Sequence, residues 1–319
     1  MKIAVTRRLF EAEIERLEKR YDVELWDSDL PPSPDELLDL LDGAGGALTL
    51  LTDKIDGSVL DQRPDLRVVS NLAVGFDNID VPAATERNVA VCTTPDVLTD
   101  TTAEYTIALI FAAAREVVAG ERAARNGEWE TWYPMRFLGL DLNGATLGVI
   151  GFGRIGQRVA ELAAVLGMNV IVSDPNPVDT DFAVVSNTEL IGRSDIISIH
   201  TPLTDETHHL IDARRFEQMK DDAILINTAR GPVIDTDALV ATLEAGKLRA
   251  VALDVTDPEP LPSNHKLYSF GNVIITPHIA SATVATRTEM ARLAVDNLIA
   301  VLEGTTPPNC LNPEVLTRD

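Results

Sequence analysis

Three residues of this chain carry side chains suited to moving a proton beside a bound carboxylate. Each follows an apolar run. Arg230 comes after Ala223–Asn227, Glu259 lies in Thr256-Asp257-Pro258-Glu259-Pro260 after Ala250–Val255, and His278 follows Val273–Thr276. An arginine fork can hold a carboxylate through two parallel hydrogen bonds. A histidine beside a carboxylate has its protonated ring stabilised and can act as an acid near neutral pH. Together they suit protonation of a carbonyl oxygen while a hydride reaches its carbon. Singly, each has a plainer reading: a strand-end or surface arginine, a structural histidine. Their placement behind three separate apolar runs argues for convergence, because ligands of parallel α/β sheets bind outside the carboxyl ends of the strands.

A second constellation concerns the hydride. Gly151-Phe152-Gly153-Arg154-Ile155-Gly156 is a G-x-G-x-x-G placed between a strand, Thr146–Ile150, and a helix, Gln157–Leu166. Glycines there allow a tight turn and the close approach of a pyrophosphate to a helix N-terminus. The next strand, Asn169–Ser173, ends at Asp174, 23 residues after Gly151. An acid at that place accepts from the adenosine ribose 2′-hydroxyl and repels a 2′-phosphate, which favours NAD over NADP. Earlier in the chain, Asn71-Leu72-Ala73-Val74-Gly75-Phe76-Asp77-Asn78-Ile79-Asp80 follows the run Val68–Leu72. Gly75 permits a turn whose backbone N–H groups could face an anion. The plainer alternative is a strand-to-helix turn with Asp80 as N-cap. His200, His208, His209 and His265 read as structural. The adjacent His208 and His209 would point apart on a regular element, so no metal site is expected.

The elements needed to hold these residues are legible. Further strand candidates are Ile3–Thr6, Val23–Trp26, Ala47–Leu51, Val89–Cys92 and Asp195–His200. Continuous Val/Ile/Leu runs separated by helices predict parallel strands covered on both faces, a doubly wound α/β fold. Ser33-Pro34-Asp35-Glu36 is a capping box with an early proline. Thr101-Thr102-Ala103-Glu104 reads as a second box, opening a long helix to about Gly120 or Asn126. A last amphipathic helix, Thr288–Leu302, could return to the first sheet.

Composition limits the partners. The 319 residues carry 27 Lys+Arg against 50 Asp+Glu, a formal charge of −23. Such a field repels phosphate backbones and anionic membrane surfaces, so neither nucleic acid nor membrane is expected. No apolar run reaches the ~18 residues of a bilayer span, and the first residues lack the apolar core of a signal peptide. The expected setting is the cytoplasm. Cys92 and Cys310 are too few for a disulfide framework and read as incidental thiols. Only 6 of the basic residues are lysine. Solubility and base composition explain this blandly. The sharper reading is a surface suited to concentrated salt, where screening confines self-repulsion to about 3 Å at 1 M.

Taken together, NLAVGFDNID, TPDVLTDTTAEYTIAL, GATLGVIGFGRIGQRVA, HTPLTDETHHLI, ILINTARGPVIDTDAL, ALDVTDPEPL and VIITPHIASAT resemble the D-isomer-specific 2-hydroxyacid dehydrogenases, most closely the glyoxylate/hydroxypyruvate reductase branch. The resemblance runs from about residue 45 to 303. It implies reduction of a small 2-oxo acid to the D-2-hydroxy acid. In it Arg230 clamps the substrate carboxylate, His278 is the general acid/base, Glu259 polarises His278, and the amides of Val74 and Gly75 bind carboxylate. Asp254 would bond the nicotinamide carboxamide. Thr102, Thr201, Thr207, Thr228, Ala229 and Ala280 would fall near the cofactor, with Gly151, Gly153, Arg154, Ile155, Gly156 and Asp174. Arg230 and His278 would border it as well. Many members of the branch have a basic or small pair at Ser173-Asp174 and use NADPH, so Asp174 favours NADH here.

The resemblance further implies a flavodoxin-like substrate domain (1–98 with 284–319), a Rossmann-type nucleotide domain (99–283), and a cleft between them. It implies a homodimer through the nucleotide domain, with the stretch Trp129–Leu140 as the arm that crosses to the partner. An alternative on the same fold is an NAD(H)-sensing, corepressor-like module without turnover. The intact trio Arg230, Glu259 and His278 disfavours it.

Overall fold

A computed structural model of the chain describes residues 1–176 and 179–317. Residues 177–178 of the expected nucleotide domain and 318–319 of the expected substrate domain lie outside it. The chain divides into two units, Met1–Leu98 with Thr283–Asp319, and Thr99–Ala282.

In the first unit strands and helices alternate: β1 (Lys2–Val5), α1 (Glu11–Glu18), β2 (Asp22–Leu25), α2 (Pro34–Leu41), β3 (Ala44–Thr49), α3 (Gly57–Gln62), β4 (Val68–Asn71), α4 (Val81–Glu86) and β5 (Ala90–Cys92). All pair in parallel, in the order β2-β1-β3-β4-β5. This is the flavodoxin-like order. One face buries Ala4, Ala47, Val69 and Val91 against Leu37, Leu40 and Leu41 of α2. The Ser33 box is present, with Ser33 accepting from the Glu36 amide and Glu36 from the Ser33 amide. Asp80 caps α4 by accepting from Ala83.

The second unit begins with α5 (Thr99–Ala114) and α6 (Val117–Arg125). The expected single helix is therefore broken. Glu116 takes a left-handed conformation (φ +51°) that ends the first helical run. Thr101 does not open the helix either, because α5 starts two residues earlier and Thr101 lies inside it. There follow β6 (Thr146–Ile150), α7 (Arg154–Val165), β7 (Asn169–Ser173), β8 (Ala183–Val184), α8 (Asn187–Arg193) and β9 (Ile196–Ile199). The unit continues with α9 (Ala213–Gln218), β10 (Ile224–Asn227), α10 (Thr236–Glu244), β11 (Ala250–Leu253) and β12 (Val273–Ile275). The seven parallel strands run β12-β11-β10-β9-β6-β7-β8. With β6 counted as the first strand this is the Rossmann order, and its switch point lies between β6 and β9. Alternate residues serve opposite faces. Ile224 and Ile226 pack on the α5/α7 side, and Leu225 between them packs with Phe216 and Leu239 on the other.

After this unit comes α11 (Val284–Leu302), capped by Thr283. It packs on β3, β4 and β5 and beside α1. Arg16 of α1 pairs with Asp296 of α11 at 2.5 Å. The first unit is thus discontinuous in sequence. Among the described residues no helix is long and apolar enough to cross a membrane.

Candidate active site

At the carboxyl end of β6 the chain must turn sharply. Gly151 does so at φ +87°, and a side chain there would lie 2.7 Å from the His200 carbonyl at the end of β9. A Cβ on Gly156 would stand 2.1 Å from the Gly151 oxygen, so the third glycine lets α7 close on the turn. Gly153 is the N-cap of α7, has no side-chain cap, and faces open space. The first-turn amides of α7, with Arg154 and Ile155 at its start, therefore form a positive helix end suited to a phosphate.

Asp174, just beyond β7, accepts from the Phe152 amide at 2.8 Å and from the Asn176 amide at 2.9 Å. It thereby ties the glycine turn to the neighbouring strand end. Thr201, beyond β9, is buried, and its Oγ1 has no hydrogen-bond partner among the described residues. A buried hydroxyl without a partner is costly unless a ligand completes it. The open Gly153, the uncapped helix and this orphaned hydroxyl fit a dinucleotide. Thr207 is spent locally, donating to the Pro202 carbonyl at 2.6 Å and accepting from the Thr204 amide at 2.8 Å. Burial pushes the His200 imidazole down to about 3, and its Nε2 lies 2.8 Å from Ser198 Oγ.

The proton-handling group is built on three adjacent strands, β10, β11 and β12. His278 sits at φ +54° in the loop after β12. Asp254, buried at the end of β11, holds that loop through three donors. Its Oδ1 accepts from Thr276 Oγ1 (2.6 Å) and the Ile279 amide (2.9 Å), and its Oδ2 from the Ala280 amide (2.8 Å). Oδ2 keeps capacity for another donor. His278 Nδ1 lies 2.6 Å from Glu259 Oε1. A carboxylate only accepts, so Nδ1 carries the hydrogen and Nε2 is the nitrogen left for chemistry. Glu259 Oε2 in turn accepts from the Thr256 amide at 3.3 Å.

Arg230 closes the turn after β10. The turn abuts the glutamate loop: a Cβ on Gly231 would lie 2.0 Å from the Thr256 oxygen. Arg230, Glu259 and His278 are thus linked through the Glu259 loop, which pairs with His278 and abuts the turn at Gly231. Thr102 lies on α5. Its carbonyl accepts from Thr106 Oγ1 (2.8 Å), and Thr106 Oγ1 lies 2.9 Å from Thr228 Oγ1. Sequence reading did not single out Thr106, Thr276 or Asn227, whose importance lies in whom they touch. Val74 and Gly75 follow β4 in the first unit. There the buried Asn71 donates to the Gly75 carbonyl at 3.1 Å.

One reading changes. The His208 and His209 rings do not point apart; they stack at 4.0 Å between centroids, with His209 in a left-handed conformation (φ +52°). Cys92, buried on β5, and Cys310 are both free thiols, and Cys310 Sγ donates to Asn312 Oδ1 at 3.5 Å.

Comparison with known proteins gives matches over nearly the whole chain. The family model described as "D-isomer specific 2-hydroxyacid dehydrogenase, NAD binding domain" matches residues 107–280. A glyoxylate reductase of Aeropyrum pernix is 48% identical over 99% of this chain and 97% of its own length. The crystal structure of the TT0316 protein from Thermus thermophilus superposes with a TM-score of 0.93 at 47% identity, covering 98% of this chain and 100% of that one. An NADPH-dependent glyoxylate/hydroxypyruvate reductase from Sinorhizobium meliloti, in complex with NADP and malonate, does so at 0.88 with 29% identity, covering 100% and 98%. Nearly full-length matches at this identity extend beyond a shared fold, and the chain belongs to the D-isomer-specific 2-hydroxyacid dehydrogenase family.

Proposed function

We propose that the protein reduces glyoxylate, hydroxypyruvate or a similar small 2-oxo acid to the D-2-hydroxy acid, with NADH as the preferred hydride donor. The observation that carries this reading is the 2.6 Å pair between His278 Nδ1 and Glu259, whose loop abuts the Arg230 turn. Arg230 holds the substrate carboxylate and so aligns the adjacent carbonyl. The amides of Val74 and Gly75 are assigned to carboxylate binding as well. A bound reduced nicotinamide supplies the hydride. His278 gives its Nε2 proton to the carbonyl oxygen, and Glu259 stabilises the ring while it is charged. Asp254 keeps His278 in place and offers Oδ2 to a carboxamide donor. Thr102, Thr201, Thr207, Thr228, Ala229 and Ala280 border the cofactor in this reading.

The preference for NADH rests on Asp174, whose charge at the end of β7 would repel a 2′-phosphate. Mixing the purified protein with NADH or NADPH and a panel of 2-oxo acids tests both points at 340 nm. Absorbance loss is expected with NADH and a small acid, and is slower with NADPH. No loss with any acid overturns the reaction, and faster loss with NADPH overturns the role of Asp174.

The assembly we propose is a homodimer through the Thr99–Ala282 unit. Its support is the Trp129–Leu140 stretch, where Trp129 and Trp132 are 75% and 81% exposed and Met135 is exposed beside them. Such apolar exposure marks an interaction surface. Light scattering should give twice the chain mass; a monomer would refute it.

A further inference from the structure

Asn227 is the last residue of β10 and is fully buried. Its side chain folds over the turn that follows. Nδ2 donates to the Arg230 carbonyl at 2.8 Å, and Oδ1 accepts from the Ala229 amide at 3.0 Å. Both ends of the carboxamide are therefore spent on the backbone of Arg230 and its neighbour. The rest of the turn is braced from two sides. Thr228 is held by Thr106 at 2.9 Å, and Gly231 presses on the Thr256 carbonyl without room for a side chain. Arg230 leaves this frame with an extended backbone (φ −145°, ψ 139°), and its Nη1 donates to the Ala229 carbonyl at 2.9 Å. A long flexible side chain can place its head group reproducibly only if its Cα and backbone are fixed.

The chemistry of the site demands a neutral amide. One atom must donate and the other accept, at one fixed length. An aspartate would set a second acceptor against the Arg230 carbonyl, and a serine would not span the turn.

We propose that Asn227 is a positioning residue for Arg230, fixing the turn of residues 228–230 and so the point at which the guanidinium meets the substrate carboxylate. The proposal rests on the reading of Arg230 as carboxylate clamp. Thr228 and Ala229 border the cofactor, but the glycine turn and Asp174 that hold most of it belong to other strand ends, so NADH affinity should suffer much less than substrate affinity.

The test uses the full chain with Asn227→Asp, Asn227→Ser and Arg230→Lys. Five quantities are read: melting temperature, NADH affinity by fluorescence, KM and kcat for the best 2-oxo acid, and inhibition by oxamate, a 2-oxo acid mimic that is not reduced. For Asn227→Asp we expect KM and the oxamate constant to rise about 10-fold or more, within the ~10²-fold cost of a misplaced group. NADH affinity should change less than about 3-fold on the same scale. Unchanged KM and oxamate inhibition, even with a lower melting temperature, would overturn the proposal. So would an equal loss of NADH affinity, which would mean collapse of the whole turn. If Asn227→Asp does not fold, Asn227→Ser is read by the same criteria, and failure of both to fold makes the role structural and the proposal wrong. If Arg230→Lys itself leaves KM and oxamate inhibition untouched, it is the clamp reading that fails.

Discussion

His278 reaches its position by an arrangement that costs the backbone. A non-glycine residue at φ +54° is unfavourable. The four hydrogen bonds from this loop to Asp254, three to its carboxylate and one from the His278 amide to its carbonyl (2.9 Å), offset that cost. Replacing His278 by Ala should lower kcat by about 10² or more, the scale of general acid–base catalysis, with NADH affinity little changed. Steady-state kinetics and fluorescence titration read the two effects separately, and a near-normal kcat would remove His278 from the role. The trio Arg230, Glu259 and His278 was legible in the sequence because each type has distinctive chemistry and each follows a strand-like run. Asn227 and Thr276 were not. A polar residue ending an apolar run looks the same whether it faces solvent or, as here, turns inward, Asn227 onto the turn just ahead of it and Thr276 onto Asp254 of the neighbouring strand.

At the scale of elements, the glycine turn is a packing device as much as a ligand cradle. Gly156→Ala would drive a methyl group into the Gly151 carbonyl and force α7 off the turn. We expect at least a 10-fold loss of NADH affinity, on the order of 1.4 kcal/mol. The variant should stay folded with a lower melting temperature, because α7 carries Val159, Ala160 and Ala163 of one core while the core on the opposite sheet face is untouched. Unaltered binding in a fluorescence titration would show that α7 does not need this approach. Eleven strands were foreseeable from continuous Val/Ile/Leu runs. The exception, β8, is two exposed residues, Ala183 and Val184, too short to leave a pattern. The break between α5 and α6 was equally hidden. Ala112 to Ala119 read as good helix, and nothing in the side chain of Glu116 announces a left-handed backbone.

For the whole molecule the dominant number is the charge of −23. A 2-oxo acid and a dinucleotide are both anions, and both must approach a body of like sign. Arg230 and the N-terminus of α7 attract them over short distances only. Salt weakens the long-range repulsion and leaves such close contacts stronger in proportion. Activity and melting temperature are therefore expected to rise as KCl goes from 0.1 M toward molar concentrations. Maxima in dilute buffer would return the acidity to a matter of solubility. Order of synthesis adds a different demand. The helix that covers β3, β4 and β5 lies beyond the entire second unit. At about 5–20 residues per second, a ribosome needs roughly 10–40 s to make the intervening stretch. During that time the first sheet waits with an apolar face bare, while the Thr99–Ala282 unit has all its own strands and can fold. Until α11 is made to cover it, the nascent first unit presents the kind of bare apolar surface that invites aggregation.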